Sequence, residues 1–409
     1  MTTGLAVTPE RRTRWLGAIA IFTMAMTPLV GYLAPLGFAP LLALTGLLAT
    51  PALARSRPPM LPLFALLPLL LWLLISLHWS PAAPHLADLK KDKALGAFTA
   101  FKLVLELGLY SAAVAALGTM SRRSARGVAT VMVFAALALA LITGVDGALN
   151  AAIFQALRRA SHDPIRPDLA VVKVSMGAYP LALLFWPCAR VLDARRFRGR
   201  NVVIGLIAVL TIAGAHFTGA DAPIAALLLG GLVWLGVRLI GKPIARALIP
   251  IVAAPFIFAP MVVLWAVRTG FIAWLHVLAP PSWDARLNIW SFAASQTVNH
   301  ALRGWGIDAS RVFGDAIPLH THDAAIQLWL ELGSIGAAFA GAFFAWIAYR
   351  VVGWTGENRK DGAMAAATLV AYLTIGGISF GVWQEWWIAL GALAAIACSV
   401  AQKSSASAP

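Results

Sequence analysis

The stretch Pro318-Leu-His-Thr-His-Asp323 sets His320, His322 and Asp323 directly before a long apolar helix pattern that carries Gln327 and Glu331 further along. An imidazole titrates near neutrality, so His322 at the mouth of such a helix is suited to taking a proton from a hydroxyl. The structural alternative for a lone histidine is a helix cap, and His320 reads equally as a neighbour tuning His322 or as a structural residue. Upstream, Arg286 and the further bases Arg166, Arg268, Arg303, Arg311, Lys90, Lys91 and Lys93 can hold an anion by charge-assisted bonds. For the three lysines, a solvated segment paired with Asp88 and Asp92 is the equal reading. No Asp-x-Asp and no His/Glu cluster with ligand spacing accompanies them, so metal-free chemistry with no cofactor is expected.

A membrane bundle must position these groups. With 60% hydrophobic and 12% charged residues in 409, the chain cannot present an ordinary polar exterior to water. Apolar runs of roughly 18 to 25 residues recur along its length, the signature of helices crossing a hydrocarbon core, and the short alternation of a transmembrane β-barrel is missing. Spans are expected at 15–36, 37–54, 60–79, 96–118, 127–148, 169–190, 201–217, 222–240, 247–270, 323–349, 362–380 and 382–402. The chain thus reads as one all-α domain, 1–409, a polytopic bundle of about twelve helices. Cys188 and Cys398 fall in or near spans, which leaves no disulfide framework and no zinc site. The basic segment before residue 15 carries no small-residue cleavage site, so the first span reads as retained.

The net charge of +15 could suggest nucleic acid, but in a membrane protein Lys and Arg collect in cytoplasmic loops. Arg11, Arg12 and Arg14 place the N-terminus inside, and an even helix number places the C-terminus there too. On this register 20 of the 32 basic residues fall in alternate, inner segments, while all eight histidines fall on the outer side. An outer cluster of bases retained against that rule points to an anionic ligand, with pairing to local acids as the alternative. The one long outer loop, 271–322, contains Asp284 to Thr297, which can form an amphipathic helix near the interface with Ser282 as N-cap. Within spans, Lys102 and Glu106 share a helical face and can neutralise each other. Lys173 can snorkel outward toward Arg166. Glu385, among Trp383, Trp386 and Trp387, reads as an interfacial residue or as support for the base.

Two blocks carry a resemblance. Arg286-Leu-Asn-Ile-Trp290 with Leu302-Arg-Gly-Trp-Gly306, then His322-Asp-Ala-Ala-Ile-Gln327 with Glu331-Leu-Gly333 and Gly336, resemble the O-antigen ligase and polymerase family over about fifty residues. Its members are membrane glycosyltransferases that take a glycan from undecaprenyl diphosphate on the periplasmic face. The resemblance implies a GT-C-like bundle in the bacterial inner membrane, both termini cytoplasmic, 271–322 periplasmic, transferring O-antigen to a lipid A-core acceptor. It implies His322 as the residue that orients or deprotonates the acceptor hydroxyl, and a diphosphate clamp led by Arg286. Arg166, Arg268, Arg303 and Arg311 would follow, with Lys90, Lys91 and Lys93 as attractors and His320, Lys173 and Glu385 in support. Single displacement would invert the anomeric centre. O-antigen polymerase and protein O-oligosaccharyltransferase are the alternatives within the resemblance; a lipid-linked glycan transporter, which would not need His322, is the alternative outside enzymes. Where the family carries Ser-Arg before the eighth span, this chain has Thr218-Gly-Ala-Asp221-Ala-Pro223, so that arginine's role would fall to another base such as Arg166 or Arg268.

Overall fold

A computed structural model describes residues 9–56, 61–83 and 99–406. Lys90, Lys91 and Lys93 lie outside the described residues. No strand occurs among the described residues. The helices begin with α1 (Pro9–Leu33), α2 (Phe38–Ser56), α3 (Leu61–Ser76), α4 (Thr99–Leu117) and α5 (Arg122–Ala148). Next come α6 (Ala152–Ala160), α7 (Pro167–Ser175), α8 (Ala178–Arg195), α9 (Arg200–Phe217), α10 (Asp221–Leu239) and α11 (Lys242–Arg268). The rest are α12 (Phe271–Leu278), α13 (Pro281–Thr297), α14 (Ala324–Glu357), α15 (Arg359–Ile378) and α16 (Glu385–Ser405).

Among the described residues, eleven helical segments are long and apolar enough to cross a membrane, with α7 and α8 together forming one of them. At the third expected span, 60–79, the described residues form the apolar helix α3, which ends at Ser76. Its end is used for a different purpose. Ser76 Oγ accepts from the Ile307 N–H at 3.1 Å, and Ser80 Oγ donates to the Ile307 carbonyl at 2.6 Å. The hydroxyls therefore clasp the segment before α14, and the helix stops.

Polar contacts link the helices at both ends of the bundle. At one end Lys102 pairs with Glu385, and His322 meets the backbone of Ser379. At the other, Lys360 pairs with Asp193 and buried Arg190 with Asp361, each at 2.6 Å. Lys102 thus takes Glu385 as its ion-pair partner, because the N-terminus of α16 comes against α4.

The 271–322 segment is largely helical. α13 starts three residues earlier than expected, with Pro280 in the cap position and Pro281 at N1, so Ser282 is inside the helix and does not cap it. Nor is α13 a free interfacial helix. Ile289 and Ala293 bury against Ile326 and Leu330 of α14 and against Ile317, because its apolar side has a protein partner.

α14 is interrupted at Gly333, where φ is 64° and ψ is −169°. The break is paired like a short ladder with residues 301–306. Trp305 N–H donates to Leu330 O at 2.9 Å and Gly306 N–H to Glu331 O at 2.7 Å; Ser334 N–H donates to Ala301 O at 2.8 Å. Trp72 Nε1 takes the remaining carbonyl, Leu332 O, at 2.8 Å. Only glycine fits this crossing. A Cβ on Gly333 would lie 2.3 Å from Leu302 O, and one on Gly304, also at positive φ, 2.4 Å from the Glu331 backbone. Gly333→Ala or Gly304→Ala should therefore lower the thermal midpoint of the purified protein strongly, by about 2 kcal/mol or more of stability. Gly353→Ala, which meets nothing within 4 Å, should leave the midpoint level or raise it.

Candidate active site

The histidine turn is held from three sides. Trp290 Nε1 of α13 donates to Thr321 O at 2.8 Å. Asp323 caps α14, its carboxylate accepting the Ile326 N–H at 2.9 Å, and burial pushes that carboxyl up to about 6. Across the bundle, Ser379 at the end of α15 presents its carbonyl 3.0 Å from His322 Nδ1. His322 itself has φ of 57°, a left-handed conformation that a non-glycine residue keeps only when its surroundings enforce it.

These contacts fix the protonation of both imidazoles. A carbonyl can only accept, so His322 Nδ1 carries the proton and Nε2 keeps its lone pair. His320 is the mirror case. Its Nδ1 accepts the His322 backbone N–H at 3.1 Å, so the proton is on Nε2. The two rings lie 4.1 Å apart, centroid to centroid. Burial, with the charge of His322, Arg286 and Arg311, lowers His320 to about 3, so it stays neutral at any ordinary pH. Burial and Arg286 also lower His322 below its ordinary 6.5, while the Ser379 carbonyl pulls the other way. His322 is therefore a neutral imidazole near pH 7 with a free Nε2, the state a general base requires.

Arg286 is near enough for its charge to press on both rings. Trp283, Arg286 and Trp290 fall three and four residues apart on α13, and hence on one face; the guanidinium lies 5.1 Å from the Trp283 ring centroid. Beneath the turn, Glu331 is fully buried and accepts from three directions: Asp308 N–H at 2.9 Å, Gln327 Nε2 at 3.0 Å and Trp383 Nε1 at 2.6 Å. Gln327 Oε1 in turn accepts the Val382 N–H at 2.9 Å. This network locks the start of α14 to the segment before it and to the α15–α16 connection.

The other expected residues scatter. Arg311 lines a cavity of about 580 Å³ together with His320 and Glu385, and pairs with Asp308 at 3.4 Å. Arg166 is exposed and pairs with Asp168; Arg303 lies 5.5 Å from the Trp79 ring centroid; Arg268 ends α11. None of these three lines that cavity, and neither does Lys173, in the last turn of α7. Sequence reasoning missed Gln384, Ser379 and Tyr179; Asp308 it treated only as an acid that could pair with the outer bases, as it does with Arg311. Tyr179 feels the charges of Arg286 and Asp221. Its only sequence signal was a tyrosine within a span. A large apolar groove, also about 580 Å³, runs between α4, α14, α15 and α16, from Val382 to Lys403, and shares Trp383 with the polar cavity. Among the described residues no three His, Cys, Asp or Glu side chains group as a metal site.

No protein-family model matches the chain. It is similar to a protein of Rickettsia conorii named "Putative polysaccharide ligase", 29% identical over 181 residues, 40% of this chain and 42% of that protein. A Rickettsia typhi protein of the same description is 24% identical over 211 residues, 47% of this chain and 50% of that one. One from Rickettsia prowazekii is 26% identical over 234 residues, 53% and 55% of the two chains. The matches thus span about half the length of these curated relatives.

Nitrogen NMR of histidine-labelled protein at pH 7 should show two neutral rings of opposite tautomer, His320 protonated at Nε2 and His322 at Nδ1. Arg286→Gln should move the His322 titration upward, toward 6.5, since a nearby positive charge disfavours the imidazolium.

Proposed function

We propose that this protein is a membrane glycosyltransferase of the O-antigen ligase type. It moves a glycan from undecaprenyl diphosphate to a lipid A-core acceptor on the periplasmic face of the bacterial inner membrane. The observation that carries the reading is His322: a neutral ring whose Nδ1–H is bound to the Ser379 carbonyl and whose Nε2 is left free beside Arg286. Similarity to proteins named as polysaccharide ligases, and an apolar groove meeting the polar cavity at Trp383, support lipid-borne glycans as substrates.

In the proposed step His322 Nε2 takes the proton of an acceptor hydroxyl as its oxygen attacks the anomeric carbon. The bond from that carbon to the diphosphate oxygen breaks, and the electron pair leaves with the diphosphate. Arg286 holds the charge that develops there. The imidazolium then returns its proton to solvent or to the departing diphosphate, and the anomeric centre is inverted. No metal takes part.

Reconstitution with a lipid-linked glycan tests this directly. Transfer to a lipid A-core acceptor is expected; growth of a second lipid-linked glycan would mean a polymerase, and movement without bond formation a transporter. His322→Ala should cost about 10²–10⁴ in rate, the usual worth of a general base, with the protein still folded. Arg286→Gln should weaken transfer strongly, and a chelator should leave the rate unchanged. Because His322 must be neutral, the rate should fall only as pH drops below its lowered pKa. An acid limb centred above 6.5 would count against His322 as the base.

A further inference from the structure

The polar cavity beside His320 differs in charge from the Arg286 side. Its lining includes one guanidinium, Arg311, and two carboxylates, Asp308 and Glu385. Arg311 is paired with Asp308 and Glu385 with Lys102, so these charges are already answered within the protein. A diphosphate entering here would meet two carboxylates and no uncommitted guanidinium from the lining. A neutral polyol would meet only hydrogen-bonding groups.

Three of those groups suit a sugar. Gln384 Oε1 is buried and has no hydrogen-bond partner among the described residues, so it needs a donor such as a hydroxyl. Asp308 offers carboxylate oxygens as acceptors. His320, with Nδ1 occupied by the His322 N–H, offers an Nε2–H donor. Trp383 and Trp386 add aromatic surface to the same wall. The volume, about 580 Å³, lies in the range of roughly 300–1,000 Å³ usual for small-ligand sites.

We propose that this cavity is the acceptor subsite and takes an unphosphorylated sugar residue, hydrogen-bonded by Gln384, Asp308 and His320, with its reacting hydroxyl directed to His322. The assignment rests on the transferase reading above and divides the site in two. Diphosphate binds on the Arg286 side, sugar acceptor on the His320 side, and the two mutually tilted imidazoles stand between them. Arg311 then orients Asp308 and does not belong to the diphosphate clamp.

The test uses the full chain in nanodiscs, a panel of neutral free oligosaccharides and inorganic pyrophosphate. Saturation-transfer NMR should reach sugar ring protons, the signal should survive saturating pyrophosphate, and Gln384→Ala should raise the sugar concentration needed for half-maximal signal about five- to tenfold while phosphorus line broadening of pyrophosphate persists. That persistence shows the variant is folded. Arg286→Gln should do the reverse. No signal from any sugar of the panel, displacement of the sugar by pyrophosphate, or an unchanged signal in Gln384→Ala would each overturn the subsite. In turnover, Gln384→Ala should raise acceptor KM about five- to tenfold, the loss of one neutral hydrogen bond, with donor KM unchanged. Normal transfer with unaltered acceptor KM sinks the subsite and leaves the transferase reading intact. Gln384-dependent sugar binding by a chain that transfers nothing sinks the transferase reading instead.

Discussion

A membrane helix cannot be interrupted unless something replaces the backbone hydrogen bonds lost at the break, because lipid offers no partners. At Gly333 the replacement is residues 301–306, which lie against both sides of the gap, with the Trp72 indole closing the last carbonyl. The same crossing brings Asp308 N–H onto the buried Glu331 carboxylate. A connection of some twenty-five residues between α13 and α14 is thereby tied down in its middle. Everything chemical at this end of the bundle hangs from that tie: the histidine turn begins where the tied segment rejoins α14.

The two imidazoles show how backbone geometry assigns chemical roles without any difference in residue type. His320 is buried and His322 half-buried, both are neutral and both lie near Arg286, yet one has a carbonyl as its Nδ1 partner and the other an amide. Opposite partners force opposite tautomers. His322 is left with an acceptor and His320 with a donor, so one can remove a proton and the other can hold an oxygen. Exchanging those partners would exchange the roles.

Much of this was legible in the sequence, for identifiable reasons. Span positions follow from hydrophobic run length, and among the described residues eleven of the twelve expected segments are long enough to cross; the end of the third is fixed by Ser76 and Ser80 binding Ile307, a contact 227 to 231 residues away that no local pattern encodes. The Gly-Trp-Gly and Glu-Leu-Gly blocks stood out as motifs, and they prove to be hydrogen-bonded to each other. Helical spacing suggested Lys102 with Glu106, but the ion pair runs to Glu385, since i to i+4 geometry is silent about a third helix. Ser379 could not be read at all, because what it contributes is a carbonyl that any residue would supply.

The charge near His322 also explains why a single nearby guanidinium is a workable arrangement. Arg286 lowers the pKa of the base it accompanies, which keeps the ring neutral but makes it a weaker proton acceptor. In the proposed reaction the donor diphosphate would neutralise Arg286, relieve that pressure and strengthen the base only once the donor is in place. Asp221 adds a negative charge that Tyr179 feels together with that of Arg286. In the proposed reaction, binding of the leaving group and activation of the base are thus coupled through the same charge, that of Arg286.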